Sequence, residues 1–166
     1  KDDFLFTHCN ESKTKSLPSH IPEMLLILDT ETTGLDFEKN SCLEIGAILF
    51  HVSTRSVLAQ HSSLMPVEVN PAEAINKIPA EITRINQPWK EGLRFFNSLI
   101  ETADVLVAHN AAFDKQWFEK DPLPKTSKQW ICTMEDIAWP AERQLRPRPS
   151  VRDLALAYGI RVWNAH

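Results

Sequence analysis

The sequence predicts a single α/β domain built on a mixed five-stranded sheet with helices packed against it. Three observations carry that expectation. Met24 to Leu28 is a continuous apolar run that leads into Asp29-Thr30-Glu31 and a Thr-Thr-Gly turn, the pattern of a strand buried on both faces. Cys42 to Phe50 and Ser56 to Met65 are two further strand-like runs, joined by connections short enough for antiparallel hairpins. From Trp89 onward helical and strand-like patterns alternate, which completes a mixed sheet rather than an all-β one.

The remaining elements follow in order. Lys1 to Pro22 is polar and reads as a loosely attached lead-in, with one short helical turn around Phe4 to Phe6; the domain proper begins at residue 23 and runs to 166. Pro66 to Gln87 is irregular, with weak helical patterning in Ala72 to Ile78 and Pro79 to Ile85. Trp89 to Thr102 is a clear helix, because Trp89, Leu93, Phe96 and Ile100 recur at helical spacing. Val105 to Ala108 is a fourth strand, Ala111 to Lys120 a helix, and Ile131 to Met134 a fifth strand. A loop rich in proline and arginine spans Pro140 to Pro149. Ser150 then caps a last helix with Asp153 in a capping-box position, Val151, Leu154, Ala155 and Tyr158 as its apolar face and Gly159 as its end.

With 166 residues, 43% of them hydrophobic and 24% charged, the chain has the apolar content of one compact core, and general disorder is excluded. The net charge is −4, but the distribution is uneven. Ala141 to His166 carries five arginines against Glu142 and Asp153, a charge of +3, which leaves −7 for the rest. Cys9, Cys42 and Cys132 have neither disulfide-framework nor zinc-site spacing, which fits a reducing compartment. No apolar run reaches membrane-spanning length and the N-terminus lacks a signal-peptide core, so a soluble, cytoplasmic protein with no membrane partner is expected. The chain starts at Lys1 rather than Met and reads as a fragment or a processed chain.

The chemistry is concentrated at the end of the first strand. Residues two apart in a strand point to the same side, with about 6.6–6.8 Å between their Cα atoms, so Asp29 and Glu31 project together. Two carboxylates so close repel unless a cation lies between them or one keeps its proton. A solvated loop mouth is the bland alternative; an oxygen-liganded divalent metal is the functional one. The third carboxylate is Asp114, in the first turn of the helix after the fourth strand, where the helix dipole favours negative charge. Alone it reads as a solvated cap; with Asp29 and Glu31 it reads as a ligand. Phe113 and Trp117, four apart, share a helix face and pack on the sheet. Glu44, among apolar residues, is expected in a buried ion pair. His8, His20, His51 and His61 show no metal-ligand spacing and read as surface or packing residues.

The Asp-x-Glu strand end with Thr-Thr-Gly-Leu, followed some eighty residues later by His109-Asn110-Ala-Ala-Phe113-Asp114, closely resembles the DEDD exonuclease superfamily, the DnaQ-like proofreading exonucleases. The resemblance runs from Met24 to the last residue. It implies a ribonuclease-H-like fold with the first three strands antiparallel and the others parallel. It implies 3′→5′ hydrolysis of phosphodiester bonds with release of nucleoside 5′-monophosphates. Two Mg2+ or Mn2+ ions would be held by Asp29, Glu31 and Asp114, with Asp29 bridging both. The family's third motif carries a histidine or a tyrosine before a fourth aspartate. Tyr158 does not fit the tyrosine pattern, because Val162 stands where the aspartate is required. His166 stands where the histidine branch places its catalytic base, and the fourth aspartate would follow five positions later, beyond the chain in hand.

The same resemblance assigns substrate contacts to the stretch Thr32, Thr33, Gly34 and Leu35, which lines the site for the 3′-terminal nucleotide. Leu35 is either a wedge against the terminal base or a core leucine. His109, Asn110 and Phe113 belong to the second motif and organise the site. The arginines between Arg143 and Arg152 either contact phosphates or line a solvated loop. The expected partner is a single-stranded 3′ end, DNA in preference to RNA, with a DNA polymerase or another replication or repair protein alongside. Three alternatives stay open: an RNA-trimming exonuclease of the same family, a non-catalytic nucleic-acid-binding module on the same fold, and an endonuclease with a cleft open at both ends.

Overall fold

The computed structural model describes residues 21–162; the lead-in, including Phe4 to Phe6, Cys9, His8 and His20, lies outside the described residues, as does His166. Strand β1 spans Met24–Thr32, β2 Cys42–His51 and β3 Ser56–Leu64. Two one-turn helices, α1 (Glu73–Asn76) and α2 (Ala80–Thr83), precede α3 (Trp89–Thr102), β4 (Val105–Ala108), α4 (Ala111–Trp117), β5 (Gln129–Cys132) and α5 (Val151–Ala157). The sheet order is β3-β2-β1-β4-β5. β1–β2 and β2–β3 pair antiparallel, whereas β1–β4 and β4–β5 pair parallel.

β1 departs from the expectation of a strand buried on both faces. Leu26, Leu28, Thr30 and Thr32 are buried, while Ile27 is 39% exposed and Asp29 is exposed. A run of Met, Leu and Ile looks alike at every position, so hydropathy does not reveal that only one parity is covered. The covered face meets Ile45, Ala47 and Leu49 of β2 and, above them, Leu93, Phe96, Leu99 and Ile100 of α3. A fully buried side chain of this size contributes about 1.5–3 kcal/mol. On the opposite face Ile27 lies across from Ile48, Asp29 from Gly46 and Glu31 from Glu44.

Local chemistry fixes the ends of these elements. The Asp104 carboxylate accepts from the backbone N–H of Glu23 (2.8 Å) and Met24 (2.9 Å), tying the start of β1 to the start of β4. Lys128 donates to the carbonyls of Glu101 and Ala103, a cation at the C-terminal end of α3 where the helix dipole favours one. α4 ends at Trp117 rather than Lys120, and the Lys120 ammonium instead donates to the carbonyls of Phe37 (3.0 Å) and Asn40 (2.8 Å). β5 lies two residues earlier than Ile131 to Met134, in register with β4 from Val105↔Gln129 to Ala108↔Cys132.

α5 has the expected Ser150–Asp153 capping box, with both reciprocal hydrogen bonds present. Its supposed apolar face is not buried, however: α5 has no buried residue, and Val151 is 59% exposed. Cys42 and Cys132 are free and buried, and burial drives the Cys42 thiol well above its ordinary range. His51 bonds Thr54 at the surface, while His61 stacks on Phe96 and bonds Ser63, so neither is a ligand.

Gly92 is where α3 comes closest to β3. A Cβ there would stand 2.1 Å from Ser63 Oγ and 3.3 Å from both Ser63 Cβ and His61 Cε1. Ser63 Oγ is engaged with His61 Nε2 at 3.0 Å, so the clash displaces a bonded pair. Gly92→Ala therefore lowers stability: overpacking costs about 1–3 kcal/mol, only partly offset by up to about 1 kcal/mol of helix propensity. Urea denaturation checks it; an unchanged or higher midpoint contradicts the close contact.

Candidate functional site

The parity of β1 builds the site. Asp29 and Glu31 point to the open face of the sheet, and Thr30 between them points to the covered face. β4 pairs with β1 only as far as Ile27↔Val107, so beyond that point the β1 backbone offers hydrogen-bonding groups toward α4. Asp114 takes them: its Oδ1 accepts from Thr30 N at 3.0 Å and Thr30 Oγ1 at 2.9 Å. The strand-end motif and the helix motif are thus stitched together by a residue that the motif reading passed over.

Asp114 is 1% exposed, which excludes the solvated-cap alternative. Burial pushes its carboxyl up to about 7, the Thr30 hydrogen bonds oppose that rise, and the Asp29 charge adds to it. Position in the first turn of α4 favours the anion, yet desolvation outweighs it. A second like-charge contact lies nearby, since Glu31 and Glu44 are direct cross-strand partners, an unfavourable arrangement for two carboxylates. Glu44 pairs with no cation among the described residues, in place of the expected buried ion pair. It is half-buried and accepts a hydrogen bond from Ser62 Oγ at 2.8 Å.

The loop after β1 is tightly held. Thr32 Oγ1 donates to Gly34 O at 2.8 Å, Thr33 N donates to Ser41 O at 2.9 Å, and Ser41 N donates to Thr33 Oγ1 at 3.0 Å. Thr32 and Thr33 are both buried, so their hydroxyls serve the loop itself. Gly34 is required by a close approach: a Cβ would stand 2.6 Å from Asn40 Oδ1, and Asn40 Nδ2 is held by Asp36 O at 2.9 Å. Leu35 is 82% exposed, which rules out the core-leucine alternative.

In the second motif, His109 Nδ1 is paired with Thr133 Oγ1 at 2.9 Å, while its Nε2 is buried without a partner among the described residues. Asn110 adopts a left-handed conformation (φ 64°) at the start of α4, a role asparagine tolerates better than most residues. Phe113 packs edge-on against Trp117, with centroids 5.9 Å apart, and Trp117 is buried. Three arginines of the proline- and arginine-rich loop are tied to the segments on either side of it. Arg146 pairs with Asp153 (2.9 Å), Arg148 pairs with Glu135 (2.6 Å), and Arg143 donates to Ala157 O (2.9 Å) while lying over the Tyr158 ring.

Asp29, Glu31 and Asp114 are thus brought to one corner of the molecule, at the end of β1. Among the described residues no three His, Cys, Asp or Glu side chains converge as a ready-made metal cage. The donor set still fits a hard divalent cation: all three groups are carboxylates, and the Asp29 charge and the opposed Glu31–Glu44 pair concentrate negative charge that a cation relieves. Sequence reasoning missed Thr30 and Asn76, which donates to Thr32 O from 44 residues away, and gave Glu44 a different partner. Strand parity alone signalled Thr30.

A mixed sheet in this order, with paired carboxylates at the end of its central strand β1 and an aspartate on α4, the helix that follows the neighbouring strand β4, defines a ribonuclease-H-like domain of the nuclease type. The chain belongs to the RNase T exonuclease family, whose model matches residues 26–161. The DNA polymerase III epsilon subunit of Treponema pallidum is 33% identical over 151 residues, which cover 83% of this chain and 66% of that protein. The PolC-type DNA polymerase III of Thermotoga petrophila is 28% identical over 141 residues, 81% of this chain but 9% of that protein. Escherichia coli exonuclease I in complex with an oligonucleotide superposes with a TM-score of 0.62 at 18% identity, over 83% of this chain and 36% of that one. Its zinc-bound complex with single-stranded DNA gives a TM-score of 0.63 at 18% identity, over 86% and 36%. At that identity the likeness bears on the fold alone. Among the described residues no helix is long and apolar enough to cross a membrane.

Proposed function

We propose that this protein is a metal-dependent 3′→5′ exonuclease of the histidine branch, removing nucleoside 5′-monophosphates from single-stranded 3′ ends, with DNA preferred over RNA. One observation carries the reading: Asp29 and Glu31 share the open face at the end of β1, and Asp114 is buried beside them on Thr30. The relatives that work in DNA replication support the preference for DNA and a DNA polymerase as partner. In this reading residues 23–166 form the exonuclease domain.

Asp29, Glu31 and Asp114 would hold Mg2+ or Mn2+ through hard oxygen donors. Such ions, when bound, polarise the phosphoryl group and activate the attacking water. Asp114 must lose its proton to serve as a ligand, and with its carboxyl raised to about 7 it does so near neutral pH. His166 takes the proton from the attacking water, a task suited to an imidazole with an ordinary value near 6.5. Leu35 presents its exposed side chain to the terminal base, and the backbone of Thr32 to Gly34 supports the terminal nucleotide. His109, Asn110 and Phe113 shape the wall beside Asp114.

The test incubates the full-length protein with 5′-labelled single-stranded DNA and RNA of one sequence in Mg2+, Mn2+ or EDTA. The expected result is a ladder that shortens from the 3′ end, stops in EDTA and runs faster on DNA. Binding without cleavage would instead establish the non-catalytic module, and cutting of a circular strand the endonuclease.

A further inference from the structure

Asn76 lies outside every motif, yet its side chain reaches the end of β1. It is 2% exposed, and its Nδ2 donates to the carbonyl of Thr32 at 3.0 Å. Its Oδ1 accepts from Asn70 Nδ2 at 2.9 Å and from Ile78 N at 3.1 Å. Because a backbone N–H can only donate, the Ile78 contact fixes which way the Asn76 amide faces, and its donor end must meet Thr32. Asn70 is latched in turn, donating to Ile78 O at 2.7 Å and accepting from Ala72 N at 3.1 Å.

Resting on the exonuclease reading above, we infer that Asn76, steadied by Asn70, is a positioning residue that sets the path of the Thr32–Leu35 loop against the 3′-terminal nucleotide. The Thr32 carbonyl lies one residue beyond Glu31, and Thr32, paired with Cys42, stands just past the register irregularity between Glu31 and Thr32, at the end of the β1–β2 ladder. Three residues on, Leu35 stands 82% exposed. The Thr32 carbonyl and the Thr33 N–H belong to one peptide, held on one side by Asn76 and on the other by Ser41 O, so losing the Asn76 bond lets that peptide tilt about its Ser41 anchor and shifts the segment that meets the terminal nucleotide. The Thr33–Ser41 bonds keep the loop attached when Asn76 is lost, so the consequence is misplacement rather than unfolding.

Asn76→Asp is the discriminating substitution. It preserves shape and both acceptor bonds but sets a carboxylate oxygen against the Thr32 carbonyl. Thr83→Val is the control: Thr83 is equally buried, and its hydroxyl bonds Val67 N and Ala80 O, neither of them in the Thr32–Leu35 loop. Assayed well below the melting midpoint of each variant, Asn76→Asp raises KM for a single-stranded oligonucleotide about tenfold or more, the scale of a lost supporting bond, with kcat much less affected. Thr83→Val loses stability and keeps its KM, and Mn2+ affinity by calorimetry is the same in all three proteins. If Asn76→Asp does not fold, Asn70→Ala decides, with a smaller rise in KM expected. An unchanged KM in the folded variant overturns the inference while leaving the exonuclease reading intact. A wild-type protein that degrades no oligonucleotide overturns both.

Discussion

Asp114→Asn abolishes turnover and, in EDTA at pH 8, stabilises the protein by roughly 2–4 kcal/mol. Both effects have one origin. Asparagine keeps an oxygen to accept the two Thr30 bonds that Asp114 now accepts, but it carries no charge into a site that is 1% exposed. The Asp114 carboxyl titrates at an ordinary 3.8 when unfolded and at about 7 when folded. Between those values the native state holds a proton that the unfolded state has lost, so wild-type stability falls as pH rises from about 4 to about 7 and then levels off. The advantage of the Asp114→Asn variant over the wild type must follow the reverse course, small near pH 4 and full above pH 7. Urea midpoints across that range measure it. A constant difference between the two proteins would show that Asp114 is not an acid whose carboxyl is raised by burial. The same titration makes cation binding pH-dependent, because the protonated carboxyl is no ligand: Mn2+ affinity falls as pH drops below about 7.

The sequence carried the order of elements and the three carboxylates because both depend on local pattern. Trp89–Thr102 and Val105–Ala108 stand where helical and apolar spacing put them. Asp29 and Glu31 share a face because a strand repeats every two residues. What sequence left open depends on partners distant along the chain. Ile27 and Leu26 are equally apolar, and only the packing of α3 decides that one is covered and the other is 39% exposed. Glu44 looked like half of an ion pair; the β1–β2 register sets it against Glu31 instead, and the β2–β3 register gives it the Ser62 hydroxyl. The Asn76–Thr32 bond joins an irregular stretch to the strand end across 44 residues, and no periodicity announces such a contact. The arginines between Arg143 and Arg152 read as a phosphate-facing or solvated set, yet Arg143, Arg146 and Arg148 find partners in the Ala157 carbonyl, Asp153 and Glu135, from α5 and a flanking turn.

Asp29→Asn separates a working carboxylate cluster from a solvated strand end. The side chain stands on the exposed face, opposite Gly46, where even a Cβ would meet nothing within 4 Å. The exchange therefore disturbs little packing, and stability in EDTA stays within about 0.5 kcal/mol, as for most surface substitutions. Turnover falls by more than ~10³-fold, beyond the cost of losing one electrostatic donor, because one of the three carboxylates that would hold the cation is removed. A spectroscopic consequence accompanies the loss. The Asp29 charge is one of the causes that hold the Asp114 carboxyl at about 7, so in Asp29→Asn that carboxyl titrates lower, which carbon-detected NMR of the aspartate side chains reads directly. A solvated strand end predicts neither change. An inactive variant whose Asp114 titration has not moved would place Asp29 in the reaction but outside the field of Asp114, and the two carboxylates would then belong to separate sites.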